Sequence, residues 1–251
     1  MQTGGLRTRG MTKTSSDSHP LITVVTVVFN AVETVEQTIL SVINQTYDNV
    51  EYIVVDGAST DGTLDVIKKY EDKIDCWISE PDKGIYDAMN KGIGLASGEW
   101  INFMNAGDLF YNEDVVGDVV AQLGCGDVDL LYGKAVDKNN HILYHPKEIT
   151  RLMFLLERMI CHQAIFVKKQ YLGQKFDLDY KIISDRNWLY NIYKQIISKS
   201  SDTIVVIYDT CGISSNRQKF DKESLAFARE KSLFFYVFCK MKRWLSKFLR
   251  K

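Results

Sequence analysis

The sequence predicts an α/β protein: a mostly parallel, doubly wound central sheet flanked by helices, followed by a helical C-terminal tail. Three observations carry this expectation. Residues 21–29 (LITVVTVVF) form a short, almost unbroken apolar run rich in β-branched residues, the pattern of a strand buried on both faces. Val32, Val35, Ile39, Val42 and Ile43 then recur at spacings of three and four, as on one face of a helix, and residues 50–55 return to a β-branched run. This β-α-β alternation continues, which favours parallel strands joined by crossover helices.

The later elements follow from the same periodicities. A helix is expected over 63–70, a strand at 76–79, a helix over 84–96 and a strand at 100–104. Beyond residue 113 come a helix near 114–122, strands near 129–136 and 141–144, and an apolar helix-like stretch over 151–157. A strand at 163–167, a helix over 185–197 and a strand at 203–208 complete the core. With three prolines and no Gly/Ser-rich interior linker, residues 20–220 read as one domain with halves at 20–112 and 113–220. Residues 1–19 are polar, lack the apolar core of a signal peptide and are expected to be disordered, with Met11 a candidate natural start.

Composition narrows the function classes. Of 251 residues, 45% are hydrophobic, 12% aromatic and 25% charged, the make-up of an ordinary folded protein. With 31 Lys and Arg against 32 Asp and Glu, the near-zero net charge argues against a nucleic-acid partner. Cys76, Cys125, Cys161, Cys211 and Cys239 are widely spaced and odd in number, so neither a disulfide framework nor a cysteine zinc site is indicated, and a reducing compartment is the simpler reading. His141 and His145 lie four apart on a strand-like segment, where that spacing builds no helical zinc face.

In doubly wound sheets ligands bind beyond the carboxyl ends of the strands. Those positions are unusually polar here. The second strand delivers residues 56–63 (DGASTDGT), where Asp61 or Thr60 can cap the next helix and Asp56 ends a buried strand, a costly place for a carboxylate without a partner or ligand. The strand at 100–104 delivers Asn105-Ala106-Gly107-Asp108, an isolated carboxylate beside small residues, suited either to a divalent cation on a diphosphate or to a capped turn.

At these loops the sequence resembles a known family. The run 26–30 (TVVFN), then 41–47 (SVINQTY), then 54–63 (VVDGASTDGT), is similar to the amino-terminal signature of the inverting GT-A nucleotide-sugar glycosyltransferases of family two. Residues 79–92 (SEPDKGIYDAMNKG) and 105–108 resemble a branch making bacterial capsule, exopolysaccharide or lipid-linked repeat units, of the colanic-acid type. The resemblance implies a GT-A fold, with a nucleotide-binding half at 20–112 and an acceptor half at 113–220. It implies base recognition by Asp56, with Thr26, Phe29 and Asn30 lining the nucleotide pocket. Asp82, Lys83, Asn90, Asn105, Ala106 and Gly107 fall in donor-proximal segments, and Asp108 matches the last carboxylate of a DxD-type motif that holds Mn2+ or Mg2+. Asn105 stands where many members carry the first Asp. Asp185, at the head of a helical pattern, matches the segment holding the catalytic base. His162 and Gln163 fall near the acceptor or diphosphate, and 212–215 (GISS) matches a later loop without an assigned role.

The implied activity is transfer of a sugar, as a hexosyl- or N-acetylhexosaminyl-transferase, from a nucleotide diphosphate sugar, UDP-linked by expectation, to a hydroxyl of a glycan or lipid-linked glycan. The alternatives are a non-catalytic nucleotide-sugar-binding relative and a sugar nucleotidylyltransferase, although no GxGxRL-like loop follows the first strand. Residues 231–251 carry seven Lys or Arg and no acid, interleaved with aromatics. The tail, residues 221–251, therefore reads as a basic amphipathic helix suited to an anionic membrane surface. The expected location is cytoplasmic, peripheral on the inner face of the cell membrane.

Overall fold

The computed structural model describes residues 1–123, 127–210 and 217–248, with side chains through 244. Cys125, Cys211, the 212–215 loop and the extreme basic end lie outside the described residues. The centre is β2 (Ile22–Val28), buried along its whole length because β3 (Val50–Asp56) and β5 (Trp100–Phe103) pair with it in parallel on either side. Helix α1 (Val35–Ile43) returns the chain from β2 to β3 and buries Val35, Ile39 and Val42. Helix α2 (Thr63–Lys69) leads to β4 (Cys76–Ser79), parallel to β3. Helix α3 (Ile85–Leu95) crosses back over the sheet to β5. It lies so close to β2 that a Cβ at Gly92 would sit 2.4 Å from Val25 Cγ1.

The second half turns the sheet mixed. After β6 (Leu109–Phe110) and α4 (Val115–Leu123), β7 (Leu130–Val136) and β8 (Ile165–Lys168) pair antiparallel, and β8 joins β5 antiparallel. Strand β9 (Ser198–Ile207) runs parallel to β7 and antiparallel to β6, giving a sheet of nine strands among the described residues. The expected strand at 141–144 is replaced by one isolated bridge, Val136 to Ile142. There Asp137 accepts hydrogen bonds from the Asn139 and His141 backbone and closes a turn instead. Helices α5 (Arg151–Leu155) and α6 (Ser184–Ile192) pack with α3 on one face of the sheet, while α1 and α4 cover the other.

Two expectations are corrected at the termini. The segment 1–19 is not disordered: β1 (Gln2–Gly4) adds antiparallel to the edge strand β4, and a 3-10 turn at Leu6–Arg9 follows. The cause is two acids on and beside β3 that need cations. Arg7 pairs with the buried Glu51, and Lys13 lies 2.9 Å from Asp75. The tail is also two helices rather than one, α7 (Arg217–Lys231) and α8 (Leu233–Phe248). Phe235 and Cys239 of α8 are buried with Phe227 of α7, while Leu233, Phe234, Val237, Met241 and Trp244 face outward. Among the described residues, no helix is long and apolar enough to cross a membrane.

Candidate active site

The sheet order β4-β3-β2-β5 puts the switch in chain direction beside β2, and a cleft of 680 Å³ opens beyond the carboxyl ends of these strands. Two loops build one of its walls. At the end of β3, Asp56 is fully buried and accepts hydrogen bonds from the Ser59 backbone, the Ser59 hydroxyl and, at 2.6 Å, the Ser79 hydroxyl. Asn30, in the left-handed region at φ 47°, accepts from Thr60 N and donates its own N–H to Ser59. Asp61 ties α2 to the loop after β2, accepting from Thr63 and from Val32 N. The Thr63 hydroxyl, with these backbone donors, holds its carboxyl below the usual range. Gly57 has a steric reason: a Cβ there would lie 2.6 Å from Asp82 Oδ2 and 3.2 Å from the Phe29 ring. That ring is 62% exposed at the mouth of the cleft.

The opposite wall brings carboxylates from both halves together. Residues 105–108 leave β5 through Gly107, whose φ of 100° turns the chain so that its N–H meets Thr38 Oγ1. Asp108, 3% exposed, accepts 2.7 Å from Asp209 N and 2.6 Å from Gln163 Nε2. Burial pushes its pKa up to about 6, against the pull of those two donors. Asp185 lies in the first turn of α6, where the helix N-terminus favours an anion. Its Oδ1 accepts from Arg186 N at 2.8 Å and from the Tyr86 hydroxyl at 3.0 Å, and its Oδ2 meets His162 Nδ1 at 3.0 Å. Burial, then the Asp185 charge, raises the Tyr86 pKa well above its ordinary value, so the phenol stays protonated and donates. The other His162 nitrogen lies 3.0 Å from Asn105 Nδ2, and Asn105 Oδ1 is buried without a hydrogen-bond partner.

Residues 23–183 match the family model of glycosyl transferase family 2. The chain belongs to this family. It is 30% identical over 217 residues to a PGL/p-HBAD biosynthesis glycosyltransferase of Mycobacterium bovis, covering 82% of this chain and 83% of that protein. It is also 32% identical over 208 residues to an uncharacterized glycosyltransferase of Mycobacterium tuberculosis, covering 80% and 79%. Among solved structures, Staphylococcus aureus TarS 1-349 in complex with UDP superposes with a TM-score of 0.66 at 20% identity, over 84% of this chain and 65% of that one. The mannosyltransferase PcManGT from Pyrobaculum calidifontis, in complex with GDP-Man and Mn2+, gives 0.66 at 18% identity, over 87% and 67%. The chain spans 39% of the longer TarS structure. These likenesses establish a shared GT-A fold, and the family makes the chain a glycosyltransferase.

Within this family-2 domain, Phe29, Asp82, Asn105, Ala106, Asp108, His162, Gln163 and Asp185 do line one cleft. Six other candidates lie elsewhere. Thr26 is fully buried, receiving the Tyr52 hydroxyl at 3.0 Å, because strand alternation turns it into the helix-covered face. Asn30 and Asp56 stand behind the wall and shape its loops. Gly107 works through its backbone, and Lys83 is an exposed residue of the 80–84 turn. Asn90, expected near the donor, acts as a clamp: its amide donates to Phe176 O and accepts from Phe176 N, both at 2.8 Å. The sequence reading passed over Tyr86, Asp209 and Glu157, which also line the cleft. Asp209 directly follows the strand expected at 203–208, the kind of signal that singled out Asp56. Glu157, at a left-handed φ of 58°, is 95% buried at its side chain and pairs with Lys242 and Arg243 of α8, a contact no local pattern announces.

Proposed function

We propose that the chain is an inverting glycosyltransferase that moves a sugar from a UDP-sugar to a hydroxyl of a glycan or lipid-linked glycan in bacterial surface polysaccharide synthesis. The observation carrying this reading is the convergence of Asp185, from the acceptor half, with the Asn105–Asp108 loop, from the nucleotide half, in one cleft. In this mechanism Asp185 takes the proton of the acceptor hydroxyl as that oxygen bonds to the anomeric carbon, while the bond to the diphosphate breaks and its electron pair leaves with the nucleotide. Attack opposite the leaving group inverts the anomeric centre. Phe29 and Asp82 flank the donor, with Asp56 and Asn30 holding the loop that meets the base.

The donor set suits Mn2+ or Mg2+. Among the described residues no three His, Cys, Asp or Glu side chains gather as a metal cage. Two hard oxygens are nevertheless at hand: Asp108, a buried carboxylate short of countercharge, and the unpartnered Asn105 Oδ1. Such ions accept one or two protein oxygens and complete their shell with phosphate and water. When bound, the ion offsets negative charge on the departing diphosphate. The outward stripe of α8, Leu233, Phe234, Val237, Met241 and Trp244 beside Lys240, supports work at the inner face of an anionic membrane.

Thermal unfolding with UDP, GDP, CDP and ADP, each with and without Mn2+, tests the donor assignment. A ligand at a hundredfold its dissociation constant adds about 2.7 kcal/mol, a rise of about 5 to 10 °C for a domain of this size. A Mn2+-dependent shift with UDP is expected. No shift with any nucleotide, or full turnover by Asp185→Asn, overturns the reading.

A further inference from the structure

We propose that His162 is a positioning residue for the Asp185 base, with Asn105 bracing the far edge of its ring. The inference rests on the reading of Asp185 as the base and assigns the machinery around it. A carboxylate only accepts, so the 3.0 Å contact from Asp185 Oδ2 places a proton on His162 Nδ1. On the far side of the ring Nε2 lies 3.0 Å from the Asn105 side-chain amide, so the imidazole is held at both edges. The ring thus bridges the Asn105 amide and the Asp185 carboxylate.

The contacts of the two carboxylate oxygens point to which one does the chemistry. Asp185 Oδ1 already accepts from Arg186 N and from the Tyr86 hydroxyl, which is shared with Ile182 O. Oδ2 takes the one His162 bond, so it keeps lone-pair capacity toward the cleft and is the oxygen that receives the acceptor's proton. His162 sets its angle, as a base must be aimed before its basicity counts. The ring is in turn held by the amide at position 105. Asn105 itself lines the cleft with Asp108. One side chain thus links the donor site to the base.

The test compares wild type, His162→Ala, His162→Asn and Asp185→Asn by steady-state transfer kinetics, with UDP binding in the presence of Mn2+ read separately by calorimetry. Asparagine at 162 can present its N–H near the place of Nδ1. Expected is a fall in kcat of about 10- to 100-fold for His162→Ala, the scale of losing an orienting partner. UDP affinity should stay within about twofold, and His162→Asn should regain most of the loss while unfolding at the wild-type temperature. Wild-type kcat in His162→Ala, with Asp185→Asn inactive, overturns the positioning role and leaves the base assignment standing. Full activity in Asp185→Asn overturns both. Weakened UDP binding in His162→Ala makes the ring a donor ligand, and an equally inactive His162→Asn rules out orientation through an N–H; each overturns the inference.

Discussion

Replacing Asp108 by Asn should make the free protein more stable at neutral pH, although the residue lies in the active-site cleft. The carboxyl is 3% exposed and burial lifts its pKa from 3.8 to about 6. A folded-state value above the unfolded one means that folding is favoured most below pH 4, where both states are protonated. Stability is then lost as pH rises through 6, beyond which the loss is constant. The rise corresponds to about 3 kcal/mol at pH 7.5. Asparagine removes the charge but keeps only one of the two acceptors facing Asp209 N and Gln163 Nε2, at a cost of about 1 to 2 kcal/mol. The net gain of about 1 to 2 kcal/mol raises the midpoint by about 2 to 8 °C. Thermal unfolding of both proteins from pH 4.5 to 8, without nucleotide or metal, reads it directly. The variant should be the more stable above pH 6 and the less stable near pH 4.5. A difference that ignores pH, or a variant less stable at pH 7.5, would refute the burial argument.

Three further outcomes follow from named contacts. Asn90→Ala strands the Phe176 N–H and carbonyl in a buried site, so urea unfolding should show a loss of about 2 to 4 kcal/mol while calorimetry finds UDP affinity unchanged; weakened nucleotide binding in a stably folded variant would restore it to the donor site. Arg7→Ala leaves Glu51 with Thr23 and Ser97 as donors and should cost about 1 to 3 kcal/mol in the same assay, whereas an unchanged midpoint would mean the Arg7–Glu51 pair contributes nothing. Phe234→Glu with Val237→Glu should keep the unfolding temperature yet abolish co-sedimentation with anionic vesicles; retained sedimentation would remove α8 as the contact surface.

The nucleotide half was legible because its signals are local. An apolar β-branched run such as 21–29 has few folded uses besides a doubly buried strand, and the polar residues after each strand marked the cleft. What escaped depends on pairing between distant segments. Nothing near residues 1–19 reveals that Glu51 and Asp75 need Arg7 and Lys13, so a polar segment read as disorder becomes an edge strand. Asn90 fell in a donor-like motif, but its partner, the Phe176 backbone, is 86 residues away. Asp185 was legible only through family resemblance. Its carboxylate is not a helix cap, since Ile183 holds that position, and its partners Tyr86 and His162 come from other parts of the chain.

Glu157 gives the C-terminal helix a claim on the catalytic cavity. Its backbone is held in a conformation that non-glycine residues seldom adopt, and its carboxylate, at the cavity edge, is neutralised by Lys242 and Arg243. Anyone trimming the chain at residue 231 to obtain a tidier expression product would strip both cations from a buried anion at the edge of the cleft. The shortened enzyme would fail at its centre through a cut made at its edge.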